Sequence, residues 1–256
     1  MKTLFGFLIF IGLSMGHAAN AAITMGEAID RAGQQRMLSQ RIAQNYLLAA
    51  IQPGSEKGPD RMNRAISQFE SNLAALEGFD RAASISPELI KVKALWVPYK
   101  TLSQQPVSRE GAEKMLIQSD ALLAQAHAYV GLLEGLSDSK KGELVNISGR
   151  QRMLSQRIAK NYLAYYYQIG GEERIKALYE DLAEYENVLG FLKESPLNTD
   201  VINTKLNKVQ GQFAYASKGF DGDMTLKGDR LIYVITGTTD AMLKNMDDVT
   251  KLYAAL

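Results

Sequence analysis

Arg36 and Arg152 each follow a glycine by three residues, Gly33 and Gly149, inside a segment that the chain spells twice. Residues 33–47 read GQQRMLSQRIAQNYL and residues 149–163 read GRQRMLSQRIAKNYL; only Gln34/Arg150 and Gln44/Lys160 differ. A guanidinium is planar, permanently charged and carries its donors in a rigid fork, so it suits planar oxyanions through charge-assisted, often bidentate bonds. Two such groups facing each other ~7 Å apart repel by about 2 kcal/mol at an effective dielectric of ~20. An anion between them relieves that repulsion. The competing chemistry is internal ion pairing, the usual fate of an arginine on a helix. Asp120 and Asp240, which recur near the ends of the two halves, are of the right type to pair with Arg41 and Arg157, or with Arg36 and Arg152. Gln40 and Gln156, also repeated, complete the supporting polar set. The residues alone do not choose between the two chemistries.

Other chemistries are short of parts. The 256 residues contain no Cys and two His, of which His17 falls in an N-terminal leader. Thiolate chemistry, disulfides and multi-His zinc sites are excluded, and a Ser-His-Asp hydrolase would rest on His127 alone. His127, between Ala126 and Ala128, reads as a structural histidine, and the repeated Met residues read as core. A calcium loop starting at Asp221-Gly-Asp223 needs an acidic residue where Ile232 stands. The expectation is no catalytic residue, no metal and no cofactor. The leader itself has Lys2, an apolar run from Leu4 to Leu13 and small residues at Ala19-Asn20-Ala21. This is the pattern of a secretory signal cleaved after Ala21, with an apolar run too short to span a bilayer. Lys2 is its only charge, which leaves 28 basic against 28 acidic residues. A neutral mature chain argues against nucleic acid and anionic membrane surfaces as partners. A soluble periplasmic or secreted protein, with no membrane insertion of the mature chain, is expected.

The repeat dictates the elements that must position the arginines. The offset between the copies is 116 residues. A second echo, Ser119–Leu136 against Thr239–Leu256, has an offset of 120. Four residues therefore entered the second half, which we place in the loop 219–224. The chain divides into residues 1–21, a first module at 22–136 and a second at 142–256. Each module resolves into four helices: about 24–52, 60–83 with Asp60 as N-cap, 87–104 and 109–136 with Ser108 as cap. Their twins are about 142–168, 172–193, 199–218 and 225–255. Pro98 marks a kink or break in the third helix. Leu231–Ile235 has strand propensity, which the repeat overrides. Short connections imply an all-α, up-down-up-down four-helix bundle, duplicated in tandem.

At 100° per residue, Ile29, Gly33, Arg36, Gln40, Ala43 and Leu47 form one stripe of the repeated helix. Leu38, Ile42, Tyr46 and Ala49 form a second, broadly opposite. One stripe serves its own bundle; the other needs a partner, and its own copy is the candidate. Gly33 and Gly149 allow close approach of the two backbones.

The segment from Ile29 to Arg41 and its twin at 147–157 resemble the first-helix signature of the PilJ-type domain, the N-terminal sensory module of type IV pili chemotaxis transducers. The periplasmic domain of nitrate/nitrite sensor kinases carries a related signature. That resemblance implies a four-helix sensory bundle in which nitrate lies between two copies of the helix, held by the glycine and first arginine of the signature. Here those are Gly33, Arg36, Gly149 and Arg152. Family receptors carry transmembrane and output segments that this sequence lacks, so signalling would run through a membrane-bound sensor or chemotaxis-type receptor.

The sequence therefore points to a small anion, nitrate or nitrite first, bound between the two modules. The alternative is a structural or protein-interaction bundle without a small ligand. Binding at the shared site requires the two modules to lie side by side with pseudo-twofold symmetry. Gly135, Ser137, Asp138 and Gly142 disfavour a helix that continues from one module into the next, so the 137–141 linker is expected to turn.

Overall fold

The computed structural model describes residues 23–79, 85–137, 140–220 and 228–256. The leader, Asp221 to Met224 of the expected insertion loop and linker residues 138–139 lie outside them. Eight helices follow in order: α1 Met25–Ile51, α2 Lys57–Glu77, α3 Ser86–Ser103, α4 Arg109–Gly135, α5 Lys140–Tyr166, α6 Gly171–Lys193, α7 Asp200–Phe220 and α8 Asp229–Ala255. The described residues contain no strand, and none of their helices is long and apolar enough to cross a membrane.

Local signals set most of the helix starts. Thr24 and Glu27 form a capping box at α1, with the Glu27 carboxylate accepting from the Thr24 amide at 2.7 Å. Ser108 caps α4, its hydroxyl accepting from the Gly111 amide at 3.0 Å. Asp60 is not the cap of α2. The helix begins at Lys57, because Pro59 falls in the first turn, where a missing N–H costs nothing. It ends at Glu77, where the Gly78 amide returns to the Ala74 carbonyl; residues 80–83 of the expected helix lie outside the described residues. Helix α3 continues through Pro98. It is held to α1 there by the buried Tyr99, whose hydroxyl donates to the Ser39 carbonyl at 2.6 Å. Residues 231–235 are helical, as the repeat required.

The two halves pack alike. Helix α1 lies against α2 and α4, and α5 lies against α6 and α8. The outer pairs α3/α4 and α7/α8 close each bundle, while α2/α3 and α6/α7 meet only lightly. In the first core Phe69 stacks on Trp96 at 3.9 Å; in the second Tyr185 stacks on Phe213 at 5.0 Å, both at 13°. Gln35 donates to the Phe69 carbonyl at 3.1 Å and Gln151 to the Tyr185 carbonyl at 2.8 Å, tying each inner helix to its neighbour. These are the same bonds, 116 positions apart.

The halves join through α1 and α5, which make the most extensive helix–helix contact in the chain. Ile29 lies near Gly142, Arg36 bonds to Asn146 and Arg41 to Gln156, so the numbers rise together and the helices run parallel. The chain has therefore turned between α4 and α5, and the bundles lie side by side. Both inner helices are buried on nearly every face, as two apolar stripes demanded. Two ion clusters clasp the seam. Asp240 of α8 holds Arg41 at 2.7 Å and Arg61 at 2.8 Å; Asp120 of α4 holds Lys160 at 2.5 Å and Arg174 at 2.8 Å.

Trp96→Ala should destabilise the chain by about 3–5 kcal/mol, since it removes a stacked, buried aromatic. Gly190→Ala, at an exposed position of α6 with open space around it, should stabilise by about 0.5–1 kcal/mol. Urea denaturation measures both; equal effects would contradict the packing described.

Candidate functional site

Where α1 and α5 cross, Gly33 faces Gly149, and the missing side chains leave a gap that two guanidinium groups enter. A methyl group placed on Gly33 would lie 3.4 Å from Nη2 of both Arg36 and Arg152. One placed on Gly149 would lie 3.4 Å and 3.3 Å from the same two atoms. Both side chains are buried, at 1% and 0% exposure. Their backbone bonds are symmetric: Arg36 Nη2 donates to the Asn146 carbonyl at 3.2 Å and Arg152 Nη2 to the Asp30 carbonyl at 3.4 Å. Residues 30 and 146 are twins at the repeat offset. In both arginines Nε is buried without a partner. The four residues read from the repeat thus meet at one place.

The supporting residues divide. Gln40 and Gln156 brace the site from below, donating to the carbonyls of Ser119 (2.9 Å) and Thr239 (3.4 Å) in the last helix of their own module. Arg41 bridges to the second module, bonding Gln156 and Asp240 at 2.7 Å each. Arg157 turns instead to Asp181 of its own module, and Asp120 takes Lys160 and Arg174. The expected Asp120 and Asp240 pairing is therefore met for Arg41 alone. The reason is local: Ala65 stands at the twin position of Asp181, so Arg41 has no such partner in its own α2.

The charges around the two arginines are unlike. Arg152 forms ion pairs with Asp30 at 2.6 Å and with Asp247 at 2.7 Å, the latter shared with Lys251. Burial raises the Asp247 pKa, but Arg152 and Lys251 outweigh it and hold the carboxyl below its ordinary value. Arg36 has no ion-pair partner among the described residues. At the twins of Asp247 and Asp30 stand His127 and Asn146. The Arg36 Nη1 donor lies 3.2 Å from His127 Nδ1, so the ring is an acceptor there and carries its proton on Nε2. Burial and then the charge of Arg152 push the Arg36 pKa down to about 9. Burial, followed by Arg36, also lowers that of His127 and keeps the ring neutral at pH 7.

Arg36 is the floor of a groove of about 400 Å³ between α4, α5 and α6, whose walls include His127, Arg150 and Met153. A twin groove of about 470 Å³ lies between α8, α1 and α2, and Arg152 does not reach it. His127, Asp30, Asn146 and Asp247 escaped the sequence reading. His127 looked structural by itself; the signal lay in aligning it with Asp247 through the second echo.

The PilJ family model, described as the type IV pili methyl-accepting chemotaxis transducer N-terminal domain, matches residues 20–126 and again 137–220. The chain belongs to the PilJ family. Over 151 residues it is 29% identical to the methyl-accepting chemotaxis protein McpN of Pseudomonas aeruginosa, a match that covers 52% of this chain and 28% of McpN. The chain thus spans little more than a quarter of that relative. No solved structure matches. PilJ membership supports a sensory or signalling role.

Two measurements probe the electrostatics. Without added ligand, Arg152→Ala should cost about 2–3 kcal/mol, because it strands Asp30 and part of Asp247. Arg36→Ala should be neutral or stabilising, since it removes an uncompensated charge; a comparable loss from both would refute the asymmetry. The buried Lys160 is held at about 8, below its ordinary 10.5, chiefly by burial. A cation with a depressed folded pKa adds stability that is complete above 10.5 and lost as pH falls through about 8. Wild type should therefore gain stability over Lys160→Gln, the residue at the twin position, between pH 8 and 10. Urea midpoints that keep a constant difference across that range would contradict this.

Proposed function

We propose that this PilJ-family chain is a periplasmic sensory protein that binds a small planar oxyanion, nitrate or nitrite first, between α1 and α5. It reports that ligand to a membrane-bound chemotaxis-type receptor, or buffers it. The observation that carries the reading is the convergence of two guanidinium groups on one gap between two glycines, with both Nε atoms buried and unpartnered. Like charges are brought together at a cost unless an anion joins them. Gly33, Arg36, Gly149 and Arg152 are its ligand contacts, with Gln40 and Gln156 bracing the arginines. Residues 22–136 and 142–256 act as the two halves of one receptor, delivered by cleavage after Ala21. Neither catalysis nor a cofactor enters this reading.

A structural or interaction bundle is the second reading, favoured by the carboxylates already on Arg152 and by the Arg41–Asp240 pair. Thermal shift against sodium nitrate, nitrite, sulfate, phosphate and carboxylates separates the two. At ~100 times its dissociation constant the true ligand adds about 2.7 kcal/mol of stability; no shift with any anion favours the bundle. Gly33→Ala and Gly149→Ala should each fold, since the added methyl meets only flexible guanidinium ends, yet should weaken anion binding by roughly ten-fold or more. Unchanged binding in both would place the ligand elsewhere.

A further inference from the structure

We infer that the site is one-sided: His127 and Asn146 leave Arg36 as the charge that the anion neutralises, Arg152 is a fixed donor already neutralised, and the ligand bears a single negative charge and enters past His127. The inference rests on the anion-site reading above and assigns its charge selectivity and its entry route.

The backbone, the glycines, the arginines and the glutamines of the site repeat; the residues that set its charge do not. Asp30 and Asp247 supply two carboxylates to Arg152, and Lys251 lies against the second. Among the groups joined in ion pairs at the gap, Arg152 and Lys251 are matched by Asp30 and Asp247, while Arg36 has no carboxylate in contact. Glu134 acts on Arg36 through space, but its carboxylate is held by the Asn146 side chain and makes no ion pair with the guanidinium. Arg150, the other cation beside Arg36, is paired with Glu184. A buried guanidinium whose one side-chain contact is a neutral imidazole is thus the place where an added negative charge is compensated best. A second negative charge would meet Asp30 and Asp247 with no unpaired cation in contact among the described residues.

The same substitution opens the route. On the α8 side Asp247 closes over Arg152, and the groove there ends short of it. On the α4 side the exposed His127 is held to Arg36 by one bond, and the groove reaches the guanidinium. An anion that replaces Nδ1 as the Arg36 acceptor trades a neutral bond for a charge-assisted one.

Isothermal titration calorimetry of the full chain with sodium nitrate and sodium sulfate, at fixed ionic strength, tests this with His127→Asp and Asp247→His. Wild type should bind nitrate at least about ten-fold more tightly than sulfate, the scale of one charge-assisted bond. His127→Asp gives Arg36 the carboxylate that Arg152 has; it should lose nitrate binding by a similar factor or more while its melting temperature rises. Asp247→His should shift preference toward sulfate and lower the melting temperature. If wild type and His127→Asp bind nitrate alike, or wild type prefers sulfate, the one-sided assignment is overturned while the anion site stands. If wild type binds neither salt, and none of the other anions either, the anion site falls and this inference with it.

Discussion

Two like charges buried between two parallel helices impose the terms on which the rest of this molecule is built. Arg36 and Arg152 reach a common gap because Gly33 and Gly149 vacate it, and both side chains are almost wholly buried. Several polar features of the seam bear on that problem. Main-chain carbonyls of Asp30 and Asn146 accept from each guanidinium across the interface. Gln40 and Gln156 tie the same helices to α4 and α8, one turn further along. The ion clusters at Asp120 and Asp240 hold the bundles together around the gap.

Duplication within one chain makes a kind of site that identical subunits cannot. Two copies on one polypeptide are free to diverge position by position, so the shared site need not be symmetric. Here the framework kept its twofold relation: the stacked aromatics, the glutamine braces and the glycine gap all recur at the repeat offset. The charges did not. Asp30 faces Asn146 in the alignment, Asp247 faces His127, and Lys160 faces Gln44. Packing constrains the first group because each member fills a fixed volume beside its neighbours. Asp30, Asn146, Asp247 and His127 sit at the edge of the seam, where a change of charge has little effect on packing, while the buried Lys160 is matched by Asp120.

The cost of the arrangement is borne by the hydrophobic contacts. Helices α1 and α5 are buried on their inner and outer faces, and the buried apolar residues of both bundles form one continuous core. That burial fixes the register of Arg36 against Asn146 and of Arg152 against Asp30. A slip of one turn would carry both guanidinium groups away from the glycine gap and away from each other.

Much of this was legible in the order of residues. The copied segment announced a duplication, its two apolar stripes required a helix buried twice, and its glycine–arginine spacing brought Gly33, Arg36, Gly149 and Arg152 to one place. Helix identity at 231–235 followed from the repeat against local propensity. These features are periodic, and periodicity survives in one dimension. What tertiary structure alone decided was which charge meets which. Arg41 and Arg157 share the copied motif, yet one crosses to Asp240 and the other turns to Asp181, because α2 has Ala65 where α6 has Asp181, a difference that lies outside the copied segment. His127 looked inert beside its alanine neighbours until the fold set it against Arg36. Ion pairing depends on distances of a few ångströms between residues a hundred positions apart, and only packing sets those distances.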